Sequence, residues 1–141
     1  MFGLPWGRKG YTYDNTRRWL RLPAAWPVKC DFLQQAAGQK PQVTESVDVG
    51  AGGISILVPQ NIAAGNLLRL EIYAPSLKRS FGVEGQVVRS TPVGQTGYEL
   101  GIRFSRIDPA DQQILNEAIE RFYNPRQLAR QKSGVWWRNL P

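Results

Sequence analysis

The chain has 141 residues, five tryptophans, one cysteine and no histidine, and its formal net charge is +7. This length fits a single domain with one hydrophobic core. Cys30 alone allows neither an internal disulfide nor a cysteine metal cluster, and the lack of histidine excludes imidazole catalysis and the usual zinc sites. No segment approaches the ~18 apolar residues of a membrane-spanning helix, and the N-terminus does not resemble a secretory signal. We therefore expect a soluble, cytoplasmic protein.

The basic charge is concentrated at the two ends of the chain. Before residue 30 there are six basic residues and one acid, and after Glu120 there are five basic residues and no acid. Such a distribution favours an anionic partner, which could be a phosphate ligand, nucleic acid, a membrane face or an acidic protein. Plain solubilising charge is the alternative interpretation.

Residues 1–25 show neither a helical nor a strand period, which predicts an irregular N-terminal arm. From Trp26 onwards, six short runs of alternating apolar and polar residues are separated by turn signals, as is typical of a small antiparallel barrel or sandwich. The predicted strands are Trp26–Leu33, Val43–Val47, Ile54–Val58, Leu67–Tyr73, Phe81–Val87 and Tyr98–Ser105. Between the second and third runs, Asp48–Gly53 predicts a hairpin turn whose glycines allow positive φ and close approach to the backbone.

The period then changes to that of a helix. Asp108 as N-cap, followed by proline, indicates a helix start, and an apolar stripe at helical spacing follows. A helix with one apolar face is expected to pack across an open end or edge of the barrel. The predicted organisation is an arm (1–25), a barrel with its closing helix (26–123) and a basic tail (124–141). Trp136 and Trp137 in that tail either contact a partner or membrane surface, or cover apolar barrel surface.

The arm carries the residues best suited to bind an anion. Arg17 and Arg21 lie four positions apart, with Arg18 between them. Guanidinium groups suit both phosphate oxygens and the Hoogsteen edge of guanine, although arginines on an arm can also be merely solvated. Trp19 and Trp26 are candidates for stacking on a purine, and the alternatives are a loop position for Trp19 and a core position for Trp26. Without paired carboxylates or a nucleophile motif, no catalytic residue and no enzymatic activity are predicted.

These features together resemble the PilZ family, whose signature is RxxxR followed by [DN]-x-S-x-x-G. The corresponding positions here are Arg17 and Arg21 and, further along the chain, Asp48, Gly50 and Gly53. The run Tyr98–Phe104 is also similar to the last strand of that family. The resemblance extends from about Arg17 to Phe122. It implies a mainly β fold, a six-stranded antiparallel β-barrel with a C-terminal α-helix packed on it.

PilZ domains are receptors for the bacterial second messenger cyclic di-GMP. The resemblance implies a non-enzymatic receptor or adaptor that binds this nucleotide, uses no metal or other cofactor, and acts on an unidentified downstream protein. The ligand-binding residues that it implies are Arg17, Arg18, Arg21, Asp48, Gly50 and Gly53. The arginines would hold phosphate and guanine, Asp48 would accept a hydrogen bond from guanine, and Gly53 would keep the turn tight. We expect the arm to be mobile without ligand and ordered by it.

Gly50 is the departure from the family signature, because it replaces the motif serine. Losing that hydroxyl contact implies weaker binding, or a protein-interaction module that does not bind the nucleotide at all. Restoring serine is expected to tighten binding by about threefold to a hundredfold, unless residue 50 has a positive φ. A barrel that binds single-stranded nucleic acid ranks third, on the evidence of the charge and the tryptophans.

Overall fold

The computed structural model describes residues 19–33 and 41–123. Within these residues the chain forms seven strands and one helix: β1 (Arg21–Pro23), β2 (Pro27–Phe32), β3 (Gln42–Gly50), β4 (Gly53–Val58), β5 (Leu67–Ala74), β6 (Arg79–Val93), β7 (Gly97–Arg106) and α1 (Pro109–Glu120). Strands β2 to β7 coincide with the six predicted runs, although β3 and β6 extend beyond their predicted ends. The mainly β prediction is confirmed.

Strands β2 to β7 close into a barrel in which all neighbouring strands are antiparallel. Their order is β3-β2-β5-β6-β7-β4, and β4 returns to pair with β3. Closure pairs each of these strands on both sides, which removes the open edges that an isolated sheet would leave. In this ring β5 lies across from β4. The predicted six-stranded antiparallel barrel is therefore confirmed.

β1 is an addition that the sequence pattern did not predict. It lies alongside the last part of β3, with Arg21 opposite Gly50 and Pro23 opposite Asp48. A three-residue strand is too short to show an alternating period, which is why the sequence predicts an irregular arm here. The first part of β3 pairs with β2, so β1 and β2 follow one another along the same side of β3. Residues 1–18 of the predicted arm lie outside the described residues.

Ser46 forms hydrogen bonds with the segment that connects β1 to β2. Its hydroxyl donates to the carbonyl of Ala24 and accepts a hydrogen bond of 2.9 Å from the amide of Trp26. The Ser46 amide also donates to the Trp26 carbonyl at 2.9 Å. Ser46 is itself buried, so these hydrogen bonds satisfy polar groups that have no access to water. The contacts hold the indole of Trp26 in the core.

α1 packs on the barrel as its apolar stripe predicts. The Asp108 carboxylate caps the helix by accepting from the amides of Ala110 (2.8 Å) and Asp111 (3.2 Å). Leu115 and Ile119 are fully buried and join the barrel core. With twelve residues, the helix of the described part is too short and too polar to cross a membrane.

The core is formed by the inward faces of the strands together with one face of α1, and it contains the single cysteine. Its largest fully buried side chains are Phe81, Ile54, Ile56, Leu68, Leu70, Ile72, Leu100, Leu115, Ile119, Val28, Val49 and Val87. Cys30 is completely buried among them. Burial, with a smaller contribution from the neighbouring Asp31 carboxylate, raises the pKa of its thiol from 9.0 to about 11.

We predict that Cys30 does not react with a thiol reagent in the folded protein at about pH 8, because the thiolate is the reactive species and burial suppresses it. The colour released from a chromogenic disulfide, followed with and without denaturant, measures this. Reaction should require unfolding, and rapid reaction in native buffer would contradict the placement of Cys30. Because the unfolded thiol releases its proton first, the free energy of unfolding should also fall as the pH rises from 9.0 to about 11.

Candidate functional site

A groove of about 650 Å³ lies where the β3–β4 hairpin meets β1, β6, β7 and α1. Its volume is within the range of about 300–1,000 Å³ that is usual for small-molecule sites. Among the residues singled out from the sequence, Trp19, Arg21, Asp48 and Gly53 line it. The other lining residues are Gly52, Ser55, Val88, Arg89, Ile102, Arg103, Phe104 and Gln112.

Arg21 and Asp48 form an ion pair at the wall of this groove, between Nη2 and Oδ1. The pairing of β1 with β3 brings them together, because it sets Arg21 opposite Gly50, two residues from Asp48. The two side chains are 20% and 28% exposed, so the pair is partly desolvated but reachable. A guanidinium carries several N–H donors in a fixed fork and can therefore contact a carboxylate and a phosphate together.

The hairpin turn is shorter than the sequence predicts. β3 continues to Gly50 and β4 begins at Gly53, so only residues 51–52 form the turn and Asp48 lies within β3. Among the described residues, glycines with positive φ occur at Gly65 and Gly94, not in this hairpin. The expectation that the hairpin glycines supply positive φ is therefore wrong.

These glycines instead make room for the segment that precedes β2. A Cβ atom at Gly50 would lie 2.6 Å from the backbone oxygen of Leu20 and 2.8 Å from Cδ of Arg21. A Cβ atom at Gly52 would lie 2.7 Å from Cδ1 of Trp19. Such distances are well inside van der Waals contact, so side chains at these two positions would displace Trp19 and β1 from the hairpin.

Gly53 serves the same purpose on the other side of the hairpin. A Cβ atom there would lie 2.6 Å from the carbonyl oxygen of Ile102 in β7 and 3.2 Å from Nη1 of Arg21. The guanidinium of Arg21 thus extends over Gly53 and reaches the β4–β7 junction. The hairpin tip is also held from outside the barrel, because Gln112 of α1 donates to the carbonyl of Ala51 at 2.9 Å.

The sequence matches the family model of the PilZ domain over residues 15–121. The chain belongs to the PilZ domain family. This match confirms the resemblance that the RxxxR and Asp48–Gly53 motifs indicate. A search of curated proteins finds no match.

Several solved PilZ-containing structures share the fold. The Bacillus subtilis inhibitor of motility MotI/DgrA aligns with a TM-score of 0.64 and 25% identity, over 80% of this chain and 52% of that chain. The present chain therefore spans about half the length of that protein. The PilZ domain of Escherichia coli YcgR with c-di-GMP aligns with a TM-score of 0.55 and 19% identity, over 83% of this chain and 96% of that one. Klebsiella MrkH in its apo state aligns with a TM-score of 0.55 and 12% identity, over 74% of this chain and 47% of that chain.

The remaining predicted PilZ-site residues are distributed differently. Trp26 is only 5% exposed and belongs to the core, so it does not reach the groove and cannot stack on a ligand there. Gly50 faces Leu20 and Arg21 instead of lining the groove. Residues 17–18 lie outside the described residues, and their roles stay predictions.

Sequence reasoning missed four polar residues of the PilZ groove: Ser55, Arg89, Arg103 and Gln112. Ser55 sits directly opposite Asp48 in the β3–β4 pairing. The alternating pattern of the last strand predicts that the Arg103 side chain points out of the barrel. Which outward-pointing side chains come together around one groove depends on how the barrel closes, and the sequence does not show this. Arginines outnumber acids three to one among the lining residues, which favours an anionic ligand.

We predict that Gly50→Ser destabilises the PilZ barrel and does not improve its site, because the new Cβ meets the Leu20 backbone. The matched control is Gly82→Ser, where a Cβ atom would meet nothing within 4 Å. Overpacking typically costs about 1–3 kcal/mol, so thermal unfolding should show a lowered midpoint for Gly50→Ser alone. Equal midpoints for the two variants would contradict the close docking of β1.

Proposed function

We propose that the chain is a cyclic di-GMP receptor that binds the nucleotide in the groove above Gly53. The observation that carries this proposal is the meeting of Arg21 and Asp48, which come from two separate motifs and form one partly exposed ion pair. Family membership supports it, since the YcgR PilZ domain and MrkH have both been solved with c-di-GMP.

The chemistry of the groove suits this ligand, which combines two phosphates with two guanines. The Arg21 guanidinium would bind a phosphate oxygen or the Hoogsteen edge of guanine. Opposite unit charges ~4 Å apart attract by roughly 4 kcal/mol at an effective dielectric of about 20, before desolvation is subtracted. Asp48 would accept from the N–H groups of guanine, and Trp19, which packs over Gly52, would stack on a base.

The ion pair also prepares the site for binding. Asp48 holds the Arg21 guanidinium over the β4–β7 junction, so little side-chain entropy remains to be lost when the ligand arrives. Gly50 contributes by leaving space for Arg21 and not by touching the nucleotide. Arg17 and Arg18 would complete the phosphate contacts from the arm.

We further propose that binding is transmitted to a downstream protein by ordering of the N-terminal arm, a change of the disorder-to-order type. The role is that of a non-enzymatic receptor or adaptor. A second candidate is a PilZ module that contacts proteins without binding the nucleotide, and the glycine at position 50, in place of the motif serine, favours it. A nucleic-acid-binding barrel ranks behind both.

We predict that the wild-type chain binds cyclic di-GMP with a dissociation constant of about micromolar or lower, and that Arg21→Ala weakens binding strongly. Truncating one partner of a desolvated charge pair costs about 2–5 kcal/mol, which is roughly thirtyfold or more in affinity. The control is Arg69→Ala, which removes an exposed arginine from β5, across the ring from β4. Its effect should be limited to the screened long-range field.

Isothermal titration calorimetry with cyclic di-GMP, run beside an oligonucleotide of the same phosphate content, measures both variants. Thermal unfolding of each variant confirms that it is folded. Equal losses for Arg21→Ala and Arg69→Ala would indicate a diffuse basic surface and favour nucleic acid. No binding by the wild-type chain at several hundred micromolar nucleotide would favour the protein-interaction module.

A further inference from the structure

We infer that Arg89 forms a second ligand-binding wall of the groove, where its guanidinium lies flat over Gly101 and presents a planar cation to a purine and its phosphate. This inference rests on the proposed function, since it names a further contact for the same nucleotide. It concerns a residue outside both sequence motifs. Three features of the structure lead to it: the geometry over Gly101, the weak contacts that hold the guanidinium, and the position relative to Arg21.

The flat geometry follows from the absence of a side chain at position 101. A Cβ atom at Gly101 would lie 2.9, 3.0 and 3.1 Å from Cζ, Nη1 and Nη2 of Arg89. Three atoms of one planar group at nearly equal distances from that point mean that the face of the guanidinium, and not its edge, is turned towards position 101. Arg89 is directed there by an irregularity in the β6–β7 pairing between Val87 and Arg89, which sets Arg89 opposite Gly101.

Polar contacts hold this guanidinium only weakly. Its Nη2 lies 3.5 Å from Oγ of Ser55 and 3.5 Å from Oε2 of Glu99. Both distances exceed the usual N–H···O separation of about 2.9 Å, and the Arg89 side chain is 54% exposed. A ligand oxygen can therefore replace these contacts at small cost. Arg21, by comparison, is closely paired with Asp48.

The two guanidiniums are spaced along the same pair of strands. Arg21 extends over Gly53 and Arg89 lies over Gly101, which pairs with Ser55, two residues further along β4. Two residues correspond to roughly 7 Å along β4, and the neighbouring strand β7 lies about 4.8 Å to the side. A compact ligand with two negative charges can therefore contact both arginines within the groove.

A planar guanidinium suits this position better than an ammonium group. It stacks on bases with its face and binds phosphate with its edge, and both surfaces are available to a ligand in a groove. Trp19 over Gly52 and Arg89 over Gly101 would then be two separate stacking surfaces for a nucleotide that has two purines. Glu99 competes with the ligand for Arg89, so it acts against binding.

The test is calorimetric titration of the full chain with cyclic di-GMP, comparing Arg89→Ala, Arg89→Lys, Gly101→Ala and Glu99→Gln with the Arg69→Ala control. Loss of one stacking contact corresponds to about fivefold to a hundredfold in affinity, which is expected for Arg89→Ala. Arg89→Lys should recover only part of that loss, because it keeps the charge without the plane. Gly101→Ala should weaken binding without any change in charge, and Glu99→Gln should strengthen it about twofold to fivefold.

The outcomes separate this inference from the proposed function. One outcome is that the wild-type chain binds, Arg21→Ala weakens binding, and Arg89→Ala behaves like Arg69→Ala. Arg89 is then not part of the binding site, and the proposed receptor function is unaffected. If Arg89→Lys binds as well as the wild type, the planar stacking contact is wrong. If the wild-type chain does not bind cyclic di-GMP, both the receptor function and the role of Arg89 are contradicted. Because Arg89 is largely exposed, Arg89→Ala should keep the wild-type melting temperature.

Discussion

The groove depends on the docking of β1 against the β3–β4 hairpin. This contact brings the guanidinium of Arg21 to the carboxylate of Asp48, although the two residues are 27 positions apart. It is possible only because Gly50 leaves space for the incoming backbone. Tyr123, just beyond α1, also holds β1 in place by donating a hydrogen bond from its hydroxyl to the carbonyl of Arg21. Arg21, from the first part of the PilZ motif, is therefore packed against the hairpin that carries the second part.

Two glycines on the outer strand surfaces each make room for an arginine side chain. Gly53 lies beneath the guanidinium of Arg21 and Gly101 lies beneath that of Arg89. In each case a missing side chain lets a long cationic side chain lie on the sheet, where it is restrained by packing and remains reachable from the groove. A guanidinium restrained in this way loses less conformational entropy on binding than one on a solvated loop.

The barrel could be predicted from the sequence because alternation along each strand and the Asp108 cap are local signals, and the family resemblance identified Arg21, Asp48 and Gly53. β1 could not be predicted in this way, since three residues are too few to show an alternating period. For Trp26 the sequence leaves both a stacking role and a core position open, and the core position is correct, because the hydrogen-bonded backbone directs the ring into the core. Arg89 was missed because the sequence does not show which outward-facing residues barrel closure gathers around one groove.

The proposed function requires that the nucleotide binds at the hairpin where Arg21 is docked. The most direct measurement is a titration of the isotopically labelled chain with cyclic di-GMP, followed by the backbone amide resonances. The largest shifts should occur at Gly52, Gly53 and Ser55, while Lys29–Asp31 in β2, across the ring from β7, should remain unchanged. Shifts spread evenly over the basic surface, or confined to residues outside the groove, would contradict it.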